Sequence, residues 1–152
     1  MILLILLNLC FANSTIIEKC NDGDTCTVKN SNQKIRLSGI DAPENGQPYS
    51  EESKEYLLKL IQKKSVVLKC DGKSYKRDTC KIFVGKSDIQ KQMVKNGWAL
   101  DSPKYSHGLY SKDQTYAERN KLGMWAKGFK YSPYCYRHIG VKKCRSDFKF
   151  QE

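Results

Sequence analysis

The hydrophobic period changes twice between Ser14 and Val84, and that order constrains the fold more than any other feature of the chain. STIIEK, TCTVKN and QKIRLSGI have strand character and are divided by Asn21, Asp22, Gly23 and Asp24 and by the polar break Asn30 to Asn32, which predicts a three-strand meander. From Ser50 the spacing becomes helical. Ser50 is placed to cap, Glu51 and Glu52 suit the first turn, and Leu57, Leu58 and Ile61 recur before Lys63 and Lys64. SVVLKC and TCKIFV return to strand character, joined by the polar hairpin DGKSYKRD. A second helix is expected from Ser87 or Asp88, carrying Ile89, Met93 and Val94 to a stop at Gly97. A third starts at Ser111, paired with Gln114 as a capping box, and stops at Gly123, before Trp125 as a core anchor.

Five short strands with a helix between the third and fourth match an OB-type barrel: a mainly β fold, a five-stranded barrel with three α-helices. The 152 residues suit one domain with its own core. The formal charge of +11 favours polyanions as partners, namely nucleic acid, acidic polysaccharide or an anionic membrane surface. MILLILLNLCFANS is apolar almost to Ala12 and too short to span a bilayer. Residues 1–12 are therefore expected to be a secretory signal cleaved after Ala12, with a buried first strand as the alternative. Six cysteines then remain, and the short separations favour Cys20 with Cys26, Cys70 with Cys80 and Cys135 with Cys144. Zinc is the competing reading, against which stand the lack of any Cys-x-x-Cys and the distance between His107 and His138. The barrel domain is expected over 13–128. Residues 129–152, basic and aromatic without clear period, are expected to form a solvated, disulfide-stapled extension.

The stretch KIRLSGIDAPE, Lys34 to Glu44, puts three charges where a buried strand ends. Pro43 ends strand pairing and keeps Ala42 out of helical geometry, so Asp41 to Glu44 should be a loop at a strand end. Antiparallel pairing brings Asp24 of the DGDT turn toward Asp41. Two carboxylates at a barrel rim repel unless a cation lies between them, and hard oxygen ligands suit calcium or magnesium; ordinary turn chemistry is the plainer reading of each Asp alone. Arg36, opposite in face to Ile35 and Leu37, offers a donor fork that grips phosphate, and Arg77 enters a strand from the hairpin. Two guanidinium groups around one phosphate would neutralise the charge that builds up in phosphoryl transfer. Glu44 fits a general base or a group that orients water.

These residues resemble a known family, the thermonucleases or staphylococcal nuclease-like proteins. The resemblance spans roughly Ile16 to Trp125 and rests on DGDT, IRLSGIDAPE, SYKRDTCKIFV, IQKQMVKNGWA and LGMW. It implies an OB-fold barrel with three helices that hydrolyses DNA and RNA with calcium and leaves 3′-phosphate ends. By matched position, Arg36, Glu44 and Arg77 are the implied catalytic residues. Asp24 and Asp41 are the implied calcium carboxylates, with the backbone carbonyl of Ala42. Tyr75 and Tyr105 fall where the family places aromatics near the nucleotide. Lys76 stands where a Gly often precedes the second arginine, and adds positive charge beside the substrate. The expectation is an exported monomer, secreted, periplasmic or at the cell surface, acting on DNA and RNA with little sequence preference. A barrel that binds nucleic acid without cleaving it, and a basic effector of anionic surfaces, are the readings from other classes.

Overall fold

A computed structural model describes residues 14–139; the expected signal, residues 1–12, and Cys144 lie outside them. The strands are β1 (Ser14–Thr15), β2 (Ile17–Cys20), β3 (Thr25–Val28), β4 (Lys34–Leu37), β5 (Ile40–Asp41), β6 (Val66–Ser74), β7 (Arg77–Val84), β8 (Ser87–Asp88) and β9 (Leu100–Asp101). The helices are α1 (Ser50–Ile61), α2 (Ile89–Lys95), α3 (Pro103–Ser106), α4 (Ser111–Arg119) and α5 (Pro133–Ile139), with a 3-10 turn over Gly123–Lys127.

The main sheet runs β1-β6-β7-β4-β3-β2, with β8 on β7. Its two ends, β1 and β2, are separated in the chain only by Ile16, so the sheet curls back on itself into a nearly closed barrel. Counting β1 and β2 as one staggered strand and setting aside the two-residue β8 leaves five, as the sequence predicts. β4 and β7 pair in parallel, which the α1 crossover between them permits; the other pairs are antiparallel. The sheet register sets Cys20 opposite Cys26 and Cys70 opposite Cys80, and both pairs are disulfides, as expected. Cys135 is also disulfide-bonded.

Alternation on β4 sends Ile35 and Leu37 into the barrel and leaves Arg36 half-buried on the other face. Leu57 and Ile61 of α1 and Met93 and Val94 of α2 are fully buried in the same core, each contributing about 1.5–3 kcal/mol by leaving water. Gln90 lies in this core with no exposure, its amide bonded to the Ile82 N–H and the Cys80 carbonyl of β7. A second cluster gathers Leu100, Ala117, Met124, Trp125 and Phe129 beside the barrel.

Several local expectations change. The polar hairpin is not an eight-residue loop: β6 and β7 continue through it, past an irregularity between Cys70 and Gly72, to a two-residue turn at Tyr75 and Lys76. Ser50 is the first residue of α1 rather than its cap. Ser111 and Gln114 form no capping box. Their side chains bind Asp101 of β9 instead, through the Ser111 hydroxyl (2.8 Å) and the Gln114 carbonyl (2.8 Å). Gly123 opens the 3-10 turn instead of closing α4. A Cβ at Gly123 would lie 2.4 Å from the Gly97 carbonyl oxygen and one at Gly97 2.2 Å from that of Leu122, so this pair of glycines lets two backbones touch. The helices number more than three, because α3 and α5 are present too.

Candidate active site

The DGDT turn is closed by its first carboxylate. Asp22 Oδ1 accepts hydrogen bonds from the amides of Asp24 (3.0 Å) and Thr25 (2.7 Å). Gly23 is required by packing, since a Cβ there would lie 1.9 Å from Ser53 Oγ and 2.8 Å from Ala42 Cβ. The turn is thus wedged between α1 and the loop after β5. Burial pushes the Asp22 carboxyl above its ordinary value, against the opposing pull of Arg36.

Asp24 is 3% exposed. Its Oδ2 accepts from the buried Ala42 amide (2.7 Å), and its Oδ1 pairs with Arg36 Nη1 and accepts from the Thr25 hydroxyl (3.2 Å). Arg36 Nη2 donates to Asp41 Oδ1 (3.0 Å) and to the Ile40 carbonyl (3.3 Å). One guanidinium therefore lies between the two carboxylates that the sequence paired. Burial lowers the Arg36 pKa, and Asp41 and Asp22 oppose the shift; an arginine stays charged at neutral pH regardless. Thr25 lies opposite Arg36 on β3, and Thr79 of β7 flanks it on the other side. Arg77, two residues before Thr79, shares that face and donates from Nη1 to the Thr25 hydroxyl (3.0 Å). Arg77 is thus one hydroxyl away from Asp24.

Glu44 follows Pro43 in the loop. Its amide donates to Gln47 Oε1 (3.0 Å), and its carbonyl accepts from the Gln47 amide (2.8 Å). Side-chain exposure rises outward, from 4% at Asp24 to 13% at Asp41 and 29% at Glu44. The inner carboxylate is locked and the outer one meets solvent. Arg137 of α5 completes the cluster. It donates to both oxygens of Asp41 (2.9 and 3.1 Å) and pairs with Glu44 Oε1. Burial would lower its pKa, but the hydrogen bonds and charges of Asp41 and Glu44 raise it further.

The remaining sequence candidates flank this cluster. Tyr75, 95% exposed, and Lys76 form the tip of the β6–β7 hairpin, next to Arg77. Tyr105, 67% exposed, is on α3, which packs through Ser106 against Gly39 in the turn leading to Asp41; Lys104 Nζ lies 5.4 Å from its ring centre. Sequence reasoning missed Gln47, buried at 3%, whose amide holds the Glu44 loop and donates to the Tyr131 carbonyl (2.7 Å). It missed Arg137 as well. A signal for α5 was present, because Ser132 before Pro133 is a helix start, and the Ser132 hydroxyl indeed accepts from the Cys135 amide (3.2 Å).

The donor set tests which cation these residues suit. Asp24 and Asp41 are hard oxygen donors brought within the width of one guanidinium, and a second cation, Arg137, already bridges Asp41 and Glu44. Among the described residues no three His, Cys, Asp or Glu side chains close into a ready cage, so an ion here would keep water ligands. That fits calcium or magnesium better than a metal wanting nitrogen or sulfur.

A barrel with the OB strand order and two arginines converging on paired carboxylates at its rim defines a phosphate-handling class of site. Residues 34–127 match the family model described as staphylococcal nuclease homologue, and the chain belongs to that family. An "Uncharacterized endonuclease" of Haemophilus influenzae is 35% identical over 144 residues, covering 91% of this chain and 80% of that protein. A "Probable staphylococcal-like nuclease" of Oryza sativa subsp. japonica is 41% identical over 95 residues, 61% of this chain and 19% of the longer plant protein. A "Staphylococcal-like nuclease" of Arabidopsis thaliana is 32% identical over 106 residues, 68% of this chain and 33% of that protein.

Proposed function

We propose that the chain is an exported, calcium-dependent nuclease that hydrolyses phosphodiester bonds of DNA and RNA with little sequence preference and leaves 3′-phosphate ends. The reading rests on one observation: Arg36 is held between Asp24 and Asp41, with Arg77 one hydroxyl from Asp24 and Glu44 beside Asp41. Relatives named as nucleases and the family match support it. Cross-strand disulfides support an oxidising compartment.

Asp24, Asp41 and the Ala42 carbonyl would hold the cation, which supplies charge neutralisation and a more acidic water. Arg36 and Arg77 bind the non-bridging oxygens of the phosphate and stabilise the charge that builds up in the transition state. Glu44 takes the proton of the attacking water. Water adds to phosphorus, the bond to the 5′ oxygen breaks, that oxygen takes a proton from solvent while Glu44 returns its proton to solvent, and a 5′-hydroxyl and a 3′-phosphate remain. Tyr75 and Tyr105 offer rings to unpaired bases, and Lys76 offers charge to the backbone.

Digestion of plasmid DNA with calcium and with a chelator tests the reading. Cleavage is expected with calcium alone, reduced roughly 100- to 10,000-fold in Glu44→Gln. Binding of DNA without cleavage at any calcium level would show a binding module instead.

A further inference from the structure

The cation-assisted reading leaves one residue without a part, and it sits in the middle of the site. Arg137 reaches Asp41 with a two-pronged contact and takes the carboxylate of Glu44 as well. Both groups are needed elsewhere: Asp41 to hold a cation and Glu44 to take a proton from water. Arg36 engages only Oδ1 of Asp41, whereas Arg137 takes Oδ2 as well, so with Arg137 in place neither oxygen of Asp41 is left open to a cation and the charge of Glu44 is cancelled.

The contact is built rather than incidental. Phe129, 2% exposed, packs on Trp125 and Tyr49. Gln47 holds the Tyr131 carbonyl at 2.7 Å, and the disulfide-bonded Cys135 is 5% exposed. A Cβ at Gly46 would lie 3.3 Å from the Tyr136 hydroxyl, so α5 lies directly on the Glu44 loop. Charge balance points the same way. Asp22, Asp24, Asp41 and Glu44 face Arg36, Arg77 and Arg137. Without Arg137 the four carboxylates outnumber the guanidiniums by two, the deficit that one divalent ion offsets.

We propose that Arg137 is an internal competitor for the cation site: its guanidinium closes the site at rest, and a divalent cation must displace it from Asp41, freeing Glu44 at the same time. The inference rests on the reading above and deepens it. Coupling of this kind is reciprocal, so whatever loosens Arg137 tightens the cation.

Calcium titration by calorimetry, without nucleic acid, tests it. Arg137→Gln, which keeps a helix-compatible side chain without the charge, is expected to bind calcium about tenfold more tightly than the unaltered chain. Arg137→Lys, with charge but no fork, falls between them. In the unaltered chain the Arg137 Nε–H resonance is expected to shift on adding calcium. Equal or weaker affinity in Arg137→Gln, or a resonance that stays in place, overturns the competition while plasmid cleavage stands. Absence of calcium binding in every chain overturns both the competition and the calcium-dependent reading.

Discussion

Asp22 shows how one side chain serves the turn at a cost in charge. Its Oδ1 caps two amides, a task that a neutral amide oxygen performs equally well, while burial disfavours its ionised form. Asp22→Asn should therefore keep the turn and raise stability at neutral pH. The sign follows from the shift: the folded pKa lies above the unfolded 3.8, so below that value both states are protonated and nothing is lost. As pH rises, the unfolded chain ionises first and the penalty grows until the folded pKa is passed. Melting curves from pH 3 to 7 in the absence of divalent ions should show the gap between Asp22→Asn and the parent opening as pH rises. A gap that is constant or closes with rising pH contradicts the burial argument. Thr25 carries the complementary lesson. Its hydroxyl joins Arg77 to Asp24, so Thr25→Val should leave the barrel folded and lower turnover by releasing Arg77.

At the scale of elements, the site is a consequence of wedging. β3 and β4 set Thr25 beside Arg36, the parallel pair β4–β7 adds Arg77 on the same face, and the DGDT turn is clamped by α1. Gly23→Ala forces Ser53 or the Ala42 loop to move, and overpacking of this kind costs about 1–3 kcal/mol. Urea unfolding measures the loss, and an unchanged midpoint would show that the turn has slack. The five barrel strands, α1, α2 and two cross-strand disulfides were legible because alternation, helical spacing and short cysteine separations are local signals. The charged cluster was legible as motifs. The Ser111–Gln114 capping box failed because β9 offered the same side chains a better partner in Asp101, a contact local rules do not contain. α3 and α5 are short, so their periods are too brief to read. Arg137 is 93 residues from Glu44, and only the docked chain after Gly128 joins them.

At the scale of the molecule, a charge of +11 acts at a distance from the site. It should draw nucleic acid in through phosphate contacts that release counterions, so KM for DNA should rise at least about tenfold between 50 and 200 mM salt. Turnover at saturating DNA should change much less, because the site arginines are partly buried and weakly screened. A KM indifferent to salt would mean that the basic surface takes no part in binding. No helix among the described residues is long and apolar enough to cross a membrane. The proposed export rests on the apolar sequence of residues 1–12, read as a signal, and on the disulfides. The most direct test is a crystal structure of the chain with calcium and a bound nucleotide. The ion is expected against Asp24 and Asp41, and the phosphate between Arg36 and Arg77 within reach of Glu44. A phosphate bound elsewhere, such as on α4 around Lys112, Tyr116 and Arg119, with Arg77 turned from it, would contradict the proposed chemistry.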